Sequence, residues 1–325
     1  MGNPTDKSLR QQLIFISVLL MLAALFSSRA VLTIGTIAFL VFTCLHKDFF
    51  KQLLVFVKNP LLSGIALLFL IFLISGLWSE DHAYWMRSLR IKLPLLLFPF
   101  AFAGNWRLTK RQWELIAWWF VVLIAAGCCW SVIQYLSDIK QINTSYLRAK
   151  AIPTPLENDH IRFSLLVCVA IMACVMLWVQ NISKKIRIVL AVIAIFFIAY
   201  LHLLSARTGL LGFYIFLLCG LVYLIMRAKN RKLTVVVCAI ALLLPVAAWF
   251  LLPTFKNRVL YMRYDFSYIK EQTYLPGSND GSRLVSLKAG WEVMKENPLG
   301  VGGGDVVNET LQWYTRHEPR MLSTG

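Results

Sequence analysis

The sequence predicts an all-α, polytopic membrane helix bundle, and three observations carry that expectation. Long apolar runs recur through residues 1–252, in a chain of 325 residues that is 58% hydrophobic and only 15% charged. Lys and Arg gather in short clusters between those runs, the pattern of loops beside a bilayer. Beyond residue 252 the composition turns polar and becomes rich in Tyr, Asn, Gly and Glu. The formal net charge of +17, from 33 Lys and Arg against 16 Asp and Glu, would ordinarily suggest a nucleic-acid partner. Clustering of the charge between apolar runs excludes that class, because a soluble nucleic-acid binder spreads its basic residues over a wetted face. Abundant Leu, Ile, Val and Phe exclude disorder and collagen-like repeats.

A spanning helix needs about 20 mostly apolar residues, fewer where neighbours protect its ends. Nine stretches qualify. Residues 12–28 and 30–45 meet at Ser27-Ser28-Arg29, which leads straight into the second run and so does not read as a signal-peptide cleavage site. Residues 61–78 form the third. The fourth, 93–104, carries Pro94 and Pro99, so its freed backbone groups need a packed neighbour or a cavity. Residues 115–136, 163–180, 188–204, 208–226 and 233–252 complete the set. With the N-terminus in the cytoplasm, the inner loops hold fifteen Lys and Arg and the outer loops of residues 1–252 hold nine. The positive-inside rule therefore favours a cytoplasmic N-terminus, a bundle over 1–252 and an extracytoplasmic segment over 253–325.

Within that last segment, Asp280 or Ser282 can cap a helix of about 283–296. Leu284, Leu287, Trp291 and Met294 then fall on one stripe, and Asn297-Pro298 with Gly300 ends the helix. The stripe is expected to lie over the bundle. Gly300-Val301-Gly302-Gly303-Gly304 lacks the Lys-Ser/Thr of a phosphate-binding loop and follows no strand, so it reads as a flexible turn. All seven cysteines lie in apolar stretches without a paired His or acidic neighbour, which points to neither a disulfide framework nor a metal site.

Basic residues on the outer side carry the chemical information, because the charge rule does not explain them. Arg207 stands in Leu203-Leu204-Ser205-Ala206-Arg207-Thr208-Gly209, a tight break between two apolar runs. An arginine there is either an anion ligand facing a cavity or an anchor that snorkels to the interface. Arg87, Arg90 and Lys92 follow Glu80-Asp81; on a helix Arg87 and Arg90 share a face, to grip one anion or to meet lipid head groups. Arg283, after Asp280, falls in the first turn of the 283–296 helix, where backbone N–H groups also favour an anion. His202 reads as a buried, hydrogen-bonded histidine, His160 beside Arg162 could line a polar cavity, and His317 belongs to a solvated loop.

Three stretches resemble the O-antigen ligase and polymerase superfamily of bacterial inner membranes: Ser205-Ala-Arg-Thr-Gly209, Asp280-Gly-Ser-Arg283 running on to Trp291, and Asn297-Pro-Leu-Gly-Val-Gly-Gly-Gly304. The nine runs before the polar segment fit the same pattern, so the resemblance covers essentially the whole chain. It implies a GT-C-like bundle that moves a glycan from undecaprenyl pyrophosphate to lipid A-core at the periplasmic face, in lipopolysaccharide biosynthesis. Transfer is implied to be inverting, with no metal and no cofactor. Arg207 and Arg283 match the family's two arginines and are the implied catalytic pair. Lys92 is the nearest match to its basic position before the fourth span, and Arg90, His160 and Asp280 are the accompanying candidates for substrate binding. The family's histidine motif and closing spans are implied to follow Gly325, so the resemblance makes the chain an incomplete form without the family's base. A polymerase or protein O-oligosaccharyltransferase of the same superfamily, and a non-enzymatic transporter or binder of lipid-linked saccharides, are the competing readings. The partners implied are the carrier-linked donor, a glycan acceptor and the bilayer, with no nucleic acid.

Overall fold

The computed structural model describes residues 4–148, 150–155, 159–228, 231–270, 279–319 and 322. Every regular element among them is helical: α1 (Pro4–Ala24), α2 (Arg29–Cys44), α3 (Phe49–Lys58), α4 (Pro60–Ile74), α5 (His82–Lys92), α6 (Pro94–Phe102), α7 (Lys110–Ser137), α8 (Ile139–Ser145), α9 (His160–Gln180), α10 (Lys184–Leu204), α11 (Arg207–Tyr223), α12 (Arg231–Leu251), α13 (Pro253–Lys270), α14 (Asn279–Glu296) and α15 (Val306–His317). The all-helical membrane class is therefore as the sequence predicts.

The number of helices that are each long and apolar enough to cross is smaller than the number of apolar runs. Among the described residues, six helices are long and apolar enough to span a bilayer: Pro60–Trp78, Lys110–Ser137, His160–Gln180, Lys184–Leu204, Arg207–Met226 and Arg231–Leu251. A seventh arises if α2 and α3, bent by 102° at their junction, act as one span. The difference has a simple physical cause: an apolar run reports hydrophobicity and says nothing of straightness. The run at 93–104 becomes α6, nine residues long, which at about 1.5 Å per residue rises less than half of a hydrocarbon core of about 30 Å.

The chain divides into two compact units. One comprises Met1–Val18, Thr33–Leu108 and Asp265–Gly325; the other comprises Leu19–Leu32 and Thr109–Tyr264. In the second unit α9 is central and packs against α7, α10 and α11. Its buried face runs Phe163, Val167, Ala170, Ile171, Cys174, Leu177, the repeat of a helix with one embedded side. Tyr200, buried in the same core, donates its hydroxyl to Ser131 Oγ at 2.8 Å, and Ser131 Oγ donates to the Pro153 carbonyl at 2.6 Å. These two buried hydroxyls are thus paired, as burial requires. Outward apolar side chains such as Val179, Val192 and Ile195 stay exposed, the condition of a helix that meets lipid.

In the first unit α4 packs against α3, α5 and α6. Phe39 is enclosed by Phe98, Phe102 and Trp106, with ring centroids 5.7–6.0 Å away. Arg10 closes the C-terminus of α2, its Nε donating to the Phe42 carbonyl at 2.7 Å and its Nη2 to that of Thr43 at 2.9 Å. A smaller cluster joins α14 to α15: Val285 and Ala289 pack on Trp313, whose Nε1 donates to Glu292 Oε2 at 2.6 Å. This arrangement corrects the expected facing of α14. Its covered side is Gly281, Val285, Ala289 and Val293, whereas Leu284, Leu287, Trp291 and Met294 are 48–71% exposed. Small residues let α14 and α15 approach closely, and the large apolar stripe is left outside the contact.

Candidate functional site

The junction of α10 and α11 is a built break. Helix α10 stops because Ser205 adopts a left-handed conformation (φ 50°, ψ 33°), unusual for a residue with a side chain. Such a conformation costs about 1–3 kcal/mol and persists where the surroundings fix it. Here they do. The Ser205 N–H donates to the Leu201 carbonyl at 3.1 Å and its Oγ to that of His202 at 2.7 Å. Thr254 Oγ1 donates to the Leu203 carbonyl at 2.7 Å, and the Tyr146 hydroxyl to that of Leu204 at 2.9 Å while accepting the Ile152 N–H at 3.2 Å. On the far side Gly209 lies against Ser164, where an added Cβ would come within 2.5 Å of the Ser164 Cβ. Arg207, half-buried, is the first residue of α11, and Ala206 before it supplies no side-chain cap. The break therefore sets an arginine at the N-terminal end of a helix, and both features suit an anion.

His202 has a structural place in this arrangement. It is 2% exposed, with Nδ1 2.8 Å from the Ile198 carbonyl and Nε2 2.9 Å from the Tyr214 hydroxyl. Nδ1 donates to the carbonyl, which leaves Nε2 to accept from Tyr214. Arg258 on α13, which the sequence reading does not single out, is buried with its guanidinium 5.8 Å from the Tyr146 ring centre. Tyr146 links it to the break. No local pattern in the sequence marks Arg258, because its neighbour lies more than a hundred residues earlier. His160 opens α9; its neighbours Asp159 and Arg162, ion-paired at 3.0 Å, line a cavity of about 760 Å³ together with Phe26, Arg29 and Leu166.

The first unit holds the remaining candidates. Lys92, at the end of α5, sits 3.8 Å above the Phe72 ring, a cation–π contact that fixes the ammonium against α4. Arg90 is exposed on the same helix. Phe72 and Ser75 also receive Gly303, where a Cβ would approach Ser75 Oγ to 2.6 Å and Phe72 to 2.8 Å. The glycine run is thus a docked segment and not the flexible turn expected from its composition. Gly302 has φ +92° and lies 2.8 Å, measured to an added Cβ, from the Ser79 Cα. The Gly304 N–H donates to Ser79 Oγ at 2.8 Å.

Asp305 completes this latch. Its Oδ2 accepts the Glu80 N–H at 2.7 Å and the Ser79 hydroxyl at 3.1 Å, and its Oδ1 accepts the Asp81 N–H at 2.8 Å. These bonds, the Asp81 N–H foremost, hold the Asp305 carboxyl below its ordinary range, with His82 adding a favourable charge. A lowered carboxyl pKa stabilises the folded form above the unfolded value of about 3.9, and that stabilisation is lost as pH falls through the lowered value. Backbone amides of residues 302–309 should therefore resist hydrogen exchange at pH 7 and lose that protection below about pH 4. Asp305→Asn should remove the extra protection at pH 7 and flatten the pH dependence; an unchanged profile would argue that the carboxylate does not hold the latch.

At the start of α14, Asp280 and Arg283 are brought together, but as a pair. Arg283 Nη1 is 3.8 Å from Asp280 Oδ1, and the Asp280 N–H donates to the buried Asp265 carboxylate at 2.9 Å. Two carboxylates therefore already occupy a helix N-terminus that the sequence offers to an anion. Arg283 keeps 61% of its side chain exposed and can exchange Asp280 for a stronger acceptor. His317, expected in a solvated loop, is exposed as expected but belongs to a helix: it ends α15 and stacks on Trp313 with ring centres 4.8 Å apart. Among the described residues no group of three or more His, Cys, Asp or Glu is placed to hold a metal ion.

An all-helical, multi-pass membrane protein with a guanidinium at a fixed interhelical break, and a polar segment locked by a glycine latch, is the class defined by this fold. Residues 193–323 match the family described as O-antigen ligase, a likeness over that part of the chain that is consistent with the O-antigen ligase superfamily. No curated protein and no solved structure matches the chain. The matched range contains the break with Arg207, the Asp280–Arg283 pair and the glycine run with Asp305, while the residues that receive that run, Phe72 to Asp81, lie outside it.

Proposed function

We propose that the protein is a glycosyltransferase of the O-antigen ligase type, which transfers a glycan from undecaprenyl pyrophosphate to lipid A-core at the periplasmic face of the bacterial inner membrane. The observation that carries this reading is Arg207, set at the first position of α11 by the Ser205 break and lying within the family match. An acceptor hydroxyl attacks the anomeric carbon as the bond to the pyrophosphate oxygen breaks, with inversion at that carbon and with the hydroxyl proton passing to water. Negative charge builds on the departing pyrophosphate, and in a site of low dielectric a fixed guanidinium meets it without reorganisation. The reading assigns this work to Arg207, and to Arg283 once it releases Asp280, with Lys92, Arg90 and His160 as further contacts for the anionic donor. It also keeps the N-terminus in the cytoplasm and residues 253–325 on the periplasmic side, as the distribution of Lys and Arg favours.

The test is transfer by the chain reconstituted in proteoliposomes with purified carrier-linked glycan, offered lipid A-core, free glycan or a pilin-like protein in separate reactions. Lipid A-core is expected to be the acceptor used. Extension of free glycan would make the protein a polymerase, and glycosylation of the protein acceptor would make it a protein oligosaccharyltransferase. Saturable binding of the donor with no product in any reaction would favour a transporter or binder.

A further inference from the structure

Helix α14 has two apolar faces, and the structure covers only one. At about 100° per residue, Leu284, Leu287, Trp291 and Met294 lie within an arc of about 80°, opposite the side that Val285, Ala289 and Val293 turn to α15. All four are about half exposed or more. Such a contiguous set of large apolar side chains is unusual on a face that meets only water. The charges are arranged with respect to it. Arg283, paired with Asp280, borders one edge of the stripe, and Lys288 and Lys295, both exposed, border the other, the Lys288 ammonium 5.9 Å from the Trp313 ring centre, while Glu292 and Glu296 lie further round toward the covered side. The Lys295 ammonium is 5.4 Å from the Trp291 ring centre, so an aromatic and a cation share one end of the stripe.

We propose that this stripe is a membrane-interface surface, with Leu284, Leu287, Trp291 and Met294 bedded at the head-group boundary and Lys288 and Lys295 meeting the phosphates of anionic phospholipids. A basic rim around an apolar face is the arrangement of a helix lying in the interfacial plane. Trp is enriched at that depth because its ring is amphipathic, and Lys and Arg lay their stems along apolar surface while their charges reach the phosphate layer. Acidic residues on the rim would oppose such a surface; Glu292 and Glu296 stand away from it, and Asp280, which lies in line with the stripe one turn before Leu284, is only 14% exposed and paired with Arg283. The chain is a membrane protein whatever its catalytic activity, so the proposal is independent of glycan transfer.

Site-specific photocrosslinking in the full chain tests it. Leu287 and Met294 are replaced singly by p-benzoylphenylalanine, with Glu296 on the other side of α14 as the comparison, in nanodiscs of phosphatidylcholine with or without phosphatidylglycerol. Both stripe positions should give adducts with the mass of one phospholipid, several-fold more than Glu296. Yield should rise when phosphatidylglycerol is present and fall in the K288E/K295E double variant. Crosslinks to another segment of the same chain, or to a second copy, would show that protein covers the stripe and would overturn the proposal. Equal yields at Glu296 and Leu287, or no response to anionic lipid, would overturn it as well.

Discussion

Arg207→Ala is expected to lower glycan transfer by about 10²–10³-fold, the usual cost of removing one fixed donor to developing negative charge. The chain should remain folded in the membrane, because the break depends on other groups: the Ser205 backbone and hydroxyl, Thr254 and Tyr146 together satisfy the end of α10. Arg207→Lys should recover only part of the rate. It restores a point charge but not the planar fork that binds two phosphate oxygens at once. Measured with carrier-linked donor, the loss should fall on the catalytic step more than on donor binding, since the charge peaks as the pyrophosphate leaves. Full transfer by the alanine variant would remove the central residue of the proposed site. Loss of binding and rate in equal measure would instead describe an arginine that merely holds the donor.

Gly304→Ala is expected to open the latch. A Cβ on Gly304 would overlap the Asp81 carbonyl and Ser79 Oγ, and the carbonyl belongs to a backbone that cannot rotate aside. Overpacking of this kind costs about 1–3 kcal/mol, enough to lose the Gly304 N–H bond to Ser79 and the three bonds to Asp305 that depend on the same register. Thermal unfolding in detergent should shift down, and amides of residues 300–309 should exchange faster. Gly290→Ala supplies the contrast: nothing lies within 4 Å of its added Cβ, and Gly290 is inside α14. That change should raise stability by about 0.5–1 kcal/mol, since alanine restricts the unfolded chain and favours helix. An unchanged melting profile for Gly304→Ala would sink the latch.

The positions of helices were legible because apolar periodicity is local. Runs at 61–78, 115–136, 163–180, 188–204, 208–226 and 233–252 coincide with the six helices long enough to cross a bilayer. Ser205 to Gly209 could be found as a break because small polar residues interrupt two such runs. Where the chain bends was less legible. Hydrophobicity alone does not distinguish a straight span from α2 and α3 folded through 102°, or from the nine-residue α6. His202 was read correctly, since a histidine inside an apolar helix must have its ring nitrogens bonded, and both are.

For the polar segment, sequence and structure divide the work differently. A stripe at 284, 287, 291 and 294 is a property of spacing, and the helix that carries it is present. Which face is covered depends on what else arrives, and Trp313 of α15 chooses the small residues Val285 and Ala289. A run of glycines announces backbone freedom and is silent about its use. Its role as a latch comes from Ser79, 226 residues before Asp305, and from Phe72 and Ser75 beside it. The sequence by itself determined that this chain is a bundle of membrane helices, where the helices break, and which basic residues the charge rule leaves unexplained. Only the tertiary structure decided which of those residues are held by partners, because hydrophobic period is written in neighbours three and four residues apart while a hydrogen bond joins any two atoms the fold brings within about 3 Å.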